Sequence, residues 1–262
     1  MHVLVHHGTP SSGRLYAAWE QDGIELVGFD RSGYGDAPRR HGRSVADVVD
    51  EVVALADARG IDRFATWGIS GGGPHALACA ALLPDRVIAA AAIGSPAPRD
   101  ADGLDWYAGF GEGNVVEFNA AEHGETALRP LLEQEEMARQ AGGTAALRDG
   151  LATLLSDVDM QALDGPLLDY MWAMFEDAGG VHGWVDDDLA FVRPWGFDLA
   201  EIQVPVLIRH GEQDRFVPAD HARWLAARIP AAAAQITAED GHLTLYEHGV
   251  RDVQDWLLQA RS

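Results

Sequence analysis

Phe64-Ala65-Thr66-Trp67-Gly68-Ile69-Ser70-Gly71-Gly72-Gly73-Pro74 is the stretch on which the fold turns. Its first six residues form an apolar, β-prone run bounded by glycine and read as a buried strand. The alanine-rich segment from Pro74 to Leu83 reads as a helix, with the proline in its first turn, where a missing N–H does no harm. A strand that turns straight into a helix aims the helix N-terminus at the turn residue, here Ser70, and favours negative charge developing there. Gly68-Ile69-Ser70-Gly71-Gly72 fits the pattern G-x-S-x-G. So sharp a turn strains its central residue and crowds the neighbours, and small flanking residues let the hydroxyl project above the sheet. The competing reading is a phosphate-binding loop. That would need G-x-G-x-x-G spacing and an acid after the next strand. Gly71-Gly72-Gly73 fits this poorly, and Ile93-Gly94-Ser95 offers no acid.

Outward from this turn, β-rich runs alternate with helical ones, the pattern of a parallel sheet covered by helices. Val3–His6, Glu25–Phe29 and Val87–Ile93 read as further strands. Leu15–Gln21 reads as a helix, and Val45–Arg59 as another, with Ser44 placed to cap it. From about Arg99 to Asp198 the alternation stops. Asn114–His123, Ala127–Gln140, Ala145–Leu155, Pro166–Ala178 and Val181–Phe191 follow one another as helical segments, until Pro194-Trp195-Gly196 breaks the run. Alternation then resumes with the strand Val204–Arg209, the helix Asp220–Arg228, the strand Ala234–Thr237 and the helix Val250–Gln259. The expected organisation is an α/β core, residues 1–98 and 199–262, interrupted by an all-helical insertion at 99–198.

Two more chemical residues fall where such a sheet places its sites, at C-terminal strand ends. Asp214 follows the strand Val204–Arg209 in His210-Gly211-Glu212-Gln213-Asp214, and His242 follows the last strand in Asp240-Gly241-His242-Leu243. A serine, an acid and a histidine in that order supply a nucleophile, the group that orients the base, and the base. A tetrahedral intermediate also needs two donors for its oxyanion. The backbone N–H of Gly71, just after the serine, is one candidate. The N–H of Thr9, in the loop His6-His7-Gly8-Thr9-Pro10 after the first strand, is the other. His7 is expected to brace that loop by hydrogen bonding and to take no direct part in chemistry.

At this point the chain resembles the α/β-hydrolase superfamily. His7-Gly8-Thr9-Pro10 looks like that family's H-G-x-P loop, and Asp30-Arg31-Ser32-Gly33-Tyr34-Gly35-Asp36-Ala37 looks like its D-x-x-G-x-G-x-S turn, with Ala37 where serine is usual. The G-x-S-x-G elbow, the acid segment and the Gly-His segment complete a match over nearly the whole chain outside the insertion. The resemblance implies a mostly parallel sheet flanked by helices, with the insertion in the family's cap position. It implies a cofactor-free serine hydrolase that cleaves a small, apolar ester, lactone, thioester or amide through Ser70, His242 and Asp214. A lyase, cyclase or perhydrolase, or a ligand receptor with slow turnover, would keep the same triad and stays open.

Two features depart from the family pattern. The N-terminal β-hairpin that usually precedes the H-G-x-P strand is missing: either it is lost or the natural start lies upstream of Met1. If it is lost, Glu25–Phe29 becomes an edge strand, open to a homodimer partner or to covering by another segment. Gly71 also stands where proline iminopeptidases and some esterases carry tryptophan or methionine, which lowers an aminopeptidase reading.

Composition narrows the classes further. The 262 residues carry a net charge of −22, and all 19 basic residues are arginine, so a lysine Schiff base has no donor. Such acidity opposes nucleic acid and anionic lipid and does not itself identify a substrate; a small-molecule substrate is what the resemblance implies. The single cysteine, Cys79, rules out an internal disulfide and reads as helix packing. Without an apolar run long enough to span a membrane or a secretory leader, the expectation is a soluble, cytoplasmic protein. The insertion is rich in aromatics. Trp106, Trp172, Phe175 and Trp184 are the candidates for a substrate-pocket roof, and Asp186-Asp187-Asp188 reads as a solvated helix start and not as a metal site.

Overall fold

Alternate residues of each strand leave the sheet on opposite faces, and in the central strands both faces are buried, so these strands are largely apolar. Leu4, Phe64, Ala90, Ala92, Val206 and Ile208 face one layer, and Val3, Val5, Ala65, Trp67, Ala91 and Leu207 face the other. The strands are β1 (His2–His6), β2 (Glu25–Gly28), β3 (Phe64–Ile69), β4 (Val87–Ile93), β5 (Val206–Gly211) and β6 (Ala232–Thr237). They pair in the order β2-β1-β3-β4-β5-β6, and every pairing is parallel. This computed structural model describes residues 1–230 and 232–260.

Helices α1 (Val48–Ala58), α2 (Gly73–Leu82) and α8 (Ala219–Arg228) cover the first face. The second is covered by α9 (His248–Ala260) and by Tyr16 and Trp19. Ala76, Ala78, Cys79 and Ala80 keep α2, buried from Gly73 to Ala81, slim against the four alanines of β4. The helix before β3 starts as expected: Ser44 and Asp47 form a reciprocal capping box, and a short 3-10 turn, Val45–Asp47, leads into α1. Leu15–Gln21 is not a helix. Only Ala17–Trp19 makes a 3-10 turn, because the Trp19 indole is drawn into the sheet layer, where it donates to the Tyr246 carbonyl at 2.5 Å.

Between β4 and β5 lie five helices: α3 (Glu112–Glu122), α4 (Glu125–Leu151), α5 (Asp157–Ala162), α6 (Gly165–Asp177) and α7 (His182–Phe191). The break expected between Gln140 and Ala145 is present at Gly143, whose non-helical φ +63° and ψ −151° divide α4 into two helical parts. The short α5 has no counterpart in the sequence reading: six residues are too few for a 3.6-residue period to register. Strand β2 is one edge of the sheet and β6 the other, and the end of β2 is packed by the loop at Gly13, whose carbonyl occupies the space a side chain on Gly28 would need.

Candidate active site

The turn after β3 is as tight as its sequence requires. Ser70 has φ +54° and is the only non-glycine with positive φ among the described residues, a strain that persists only where the surroundings enforce it. A β-carbon on Gly68 would collide with the Gly72 carbonyl, and one on Gly72 with the His6 carbonyl. Gly71 is explained by its neighbours: Thr9 Oγ1 and the Phe191 ring fill the space where a tryptophan or methionine would stand.

Ser70 opens on a cavity of about 390 Å³, which Gly71, Thr9 and His242 also line. The His242 ring is held from several sides. Its Nδ1 lies 2.7 Å from Asp214 Oδ2, it stacks on Phe216 at 4.9 Å between centroids, and the Gly94 backbone passes close beneath it. Asp214 is fully enclosed: Oδ1 accepts from the backbone N–H groups of Phe216 and Val217, and Oδ2 also faces His210 Nε2 at 3.3 Å. Burial alone would raise the Asp214 pKa. The facing His242 charge and the hydrogen bonds from His210 and His242 outweigh it and hold the carboxyl well below the usual range. His242 is the mirror case. Burial would lower its pKa, and the charge and hydrogen bond of Asp214 carry it above the ordinary histidine value.

A second carboxylate, not anticipated from sequence, holds the same loop. Asp159, buried at the start of α5, accepts from the backbone N–H groups of His242 at 2.9 Å and Leu243 at 2.6 Å. Ser156 Oγ donates to the same Oδ2 that takes the His242 N–H, at 2.8 Å, and Gly241 leaves room for the carboxylate. Below it, Asp240 accepts from Thr237 and Arg209, and these bonds hold its carboxyl down to about 2 against the effect of burial.

The Thr9 loop is anchored by a buried charge cluster. Arg31 donates to the carbonyls of His7 and Gly8 at 2.6 and 3.1 Å and to Asp187 Oδ2 at 2.6 Å. Asp187 also accepts from Thr9 Oγ1 (2.6 Å), Tyr34 (2.8 Å), Arg43 (2.6 Å) and His75 (3.2 Å). His7 braces the loop as expected: Nδ1 donates to the Gly8 carbonyl, and Nε2 accepts from the Arg31 N–H. Burial and the neighbouring Arg31 hold the His7 pKa well below its ordinary value, so the ring stays neutral.

The run Asp186-Asp187-Asp188 is therefore not solvated. All three side chains are buried in α7: Asp186 pairs with Arg39, Asp187 centres the cluster, and Asp188 lines the cavity. Helical periodicity held the signal, since Trp184, Asp188 and Phe191 share one face and all three reach the cavity. Among the expected roof residues, Trp184 and Phe175 line the cavity, with Phe110, Phe118 and Met174 beside them. Trp106 and Trp172 do not. The Trp106 indole N–H is tied to the Ala97 carbonyl, and its ring packs against Phe110, Phe118 and His221. Trp172 lies about 100° around α6 from Met171, off the face that carries Met171, Met174 and Phe175 into the cavity. Cys79 is buried packing, as expected. Among the described residues no cluster of histidine, cysteine or acid is arranged for a metal, and no helix is long and apolar enough to cross a membrane.

A family model described as the alpha/beta hydrolase fold matches residues 1–249, and the chain belongs to that family. It is an enzyme of this fold. A 2-hydroxymuconate semialdehyde hydrolase from Pseudomonas putida is 27% identical over 239 residues, covering 90% of this chain and 76% of that protein. Solved structures agree on the fold. An esterase from Thermogutta terrifontis superposes with a TM-score of 0.72 at 19% identity, covering 100% of this chain and 91% of its own. The enol-lactonase from Burkholderia xenovorans gives 0.70 at 17%, covering 98% and 91%.

Proposed function

We propose that this enzyme is a serine hydrolase acting on small carboxylic esters, lactones, thioesters or amides with an apolar body, through an acyl-enzyme on Ser70. The observation that carries this reading is the shared cavity: a strained serine at a strand-to-helix turn and a histidine whose far nitrogen is fixed by a buried carboxylate open on the same space. Ser70 Oγ attacks the carbonyl carbon while His242 Nε2 takes its proton, and Asp214 holds the proton on Nδ1 and steadies the imidazolium. The negative oxygen that forms is met by the backbone N–H groups of Gly71 and Thr9, and α2 adds its N-terminal dipole. Collapse returns the proton from His242 to the leaving group, and water repeats the sequence to free the acid. Helices α3 to α7 act as a cap whose apolar wall excludes water from the acyl chain.

The relative's hydrolase name and the esterase and lactonase structures support the reaction class. Intact-mass labelling with a fluorophosphonate tests it. A single adduct on the native chain, absent from Ser70→Ala and His242→Ala, is the expected result. A folded native chain that takes no label, or a Ser70→Ala variant that keeps it, would overturn the assignment. On an ester that the native enzyme turns over, Ser70→Ala should lose about 10⁴- to 10⁶-fold in kcat.

A further inference from the structure

The cavity has an acidic wall that the proposed acyl transfer does not use. Asp188 from α7 lines it with only 1% of its surface exposed, and no donor reaches its Oδ2 among the described residues. Glu117 from α3 stands against it, its Oε1 accepting from the Trp184 indole at 2.6 Å, and Glu135 from α4 lines the same space where the cavity meets solvent. Two carboxyls in contact with no cation between them share a proton. Burial, and then the Glu117 charge, push Asp188 well above the ordinary carboxylate range, while burial pushes Glu117 up.

The nearby arginines are engaged elsewhere. Arg31 and Arg43 are committed to Asp187, and Arg39 to Asp186 and Glu125. Arg139, the one arginine in the cavity wall among the described residues, pairs with Glu136 and lies over the Phe175 ring at 4.5 Å. It also faces Glu135 and Glu176, and burial lowers its pKa to about 10. The wall therefore keeps surplus acid beside an unpartnered oxygen, an arrangement that stabilises nothing in the empty protein.

Resting on the hydrolase reading of the same cavity, we infer that Asp188 and Glu117 form a subsite for a cationic, hydrogen-bond-donating end of the substrate, a primary ammonium group carried several carbons from the scissile carbonyl. Placement supports this. Phe191, which crowds Gly71, lies three residues along α7 from Asp188, a rise of roughly 4.5 Å, so nucleophile and acid share one cavity without touching. The aromatic and methionine walls would enclose the methylene chain between them. An entering ammonium replaces the shared proton, so its binding releases a proton and strengthens as pH rises through the titration of the pair.

Calorimetric titration of the full native chain with hexylammonium chloride, 1-hexanol and hexanoate tests this without requiring turnover. Hexylammonium should bind roughly tenfold or more tighter than hexanoate, as a charge-assisted hydrogen bond implies, with a heat that varies with buffer ionisation enthalpy. Asp188→Asn and Glu117→Gln should each erase that preference and the proton release. In activity, p-nitrophenyl 6-aminohexanoate should exceed p-nitrophenyl heptanoate in kcat/KM by a similar factor, and each variant should level the two. Absence of hexylammonium binding, equal or tighter hexanoate binding, or a preference that survives both substitutions would overturn the subsite. A chain that prefers hexylammonium but takes no fluorophosphonate label would keep the subsite and lose the hydrolase reading, so the two fail separately.

Discussion

Asp187 and Asp188 are adjacent, equally buried and identical in chemistry, yet their environments are opposites. Asp187 receives hydrogen bonds from Arg31, Arg43, Tyr34, His75 and Thr9. Burial would raise its pKa, and the two guanidiniums hold it well below the usual range. Asp188 has Glu117 against it and no donor at Oδ2 among the described residues, and burial and Glu117 hold it well above that range. The helix turns about 100° between them, which carries one side chain into the seam between α7 and the Thr9 loop and the other into the cavity. A buried acid with a full set of donors organises structure. Asp188, left without them beside the cavity, is the group that the proposed subsite uses.

The comparison breaks most readily at Asp187. Asp187→Ala would strand Arg31 and Arg43 in the core, and it should cost about 3–5 kcal/mol in urea unfolding, with a loss of esterase kcat as the Thr9 loop drifts. A loss below about 1 kcal/mol would mean that the cluster is not the anchor its geometry implies. Asp159→Ala comes next. It removes the carboxylate that accepts from the backbone N–H groups of His242 and Leu243, so a stability loss of about 1–3 kcal/mol is expected. It should also lower the pH midpoint of the acid limb of kcat/KM, because the Asp159 charge helps hold the His242 pKa up.

Asp188→Asn should move the other way, leaving stability within about 1 kcal/mol of the native chain or above it. Folded Asp188 keeps its proton to higher pH than the unfolded chain does. The native state therefore binds more protons between the two pKa values, and its stability falls as pH rises through that window. Unfolding at about pH 5 and about pH 8 should show the variant gaining on the native chain at the higher value. Asp187 has the opposite sign: its contribution is present above the ordinary carboxylate pKa and is lost as pH falls toward its depressed folded value. The smallest effect belongs to the half-exposed pair Arg14–Asp177, where Arg14→Ala should cost about 0–1 kcal/mol and vanish into the noise at high salt.

Much of the site was legible because it is written locally. G-x-S-x-G specifies a strained turn within five residues, and Asp214 and His242 each follow a strand whose apolar run is plain. The residues that hold these groups were not legible. Asp159 sits on a helix too short to show a period, and it reaches His242 across 83 positions of chain. Arg31 was visible only as part of a glycine-rich turn, although its side chain holds the Thr9 loop. Trp106 and Trp172 looked like Trp184 in the sequence, and only the packing separates the ring that meets the cavity from those that meet other helices.

The sequence by itself determined the strand periodicity, the sharp elbow at Ser70, the strand-end positions of Asp214 and His242, and a helical interruption between the fourth and fifth strands. These depend on short-range sterics and hydrophobic pattern, which neighbouring residues dictate. Only the tertiary structure decided what burial does to each polar group. Identical aspartates in one run become an anchor, an ion-pair partner and a cavity wall according to which donors distant segments bring within about 3 Å.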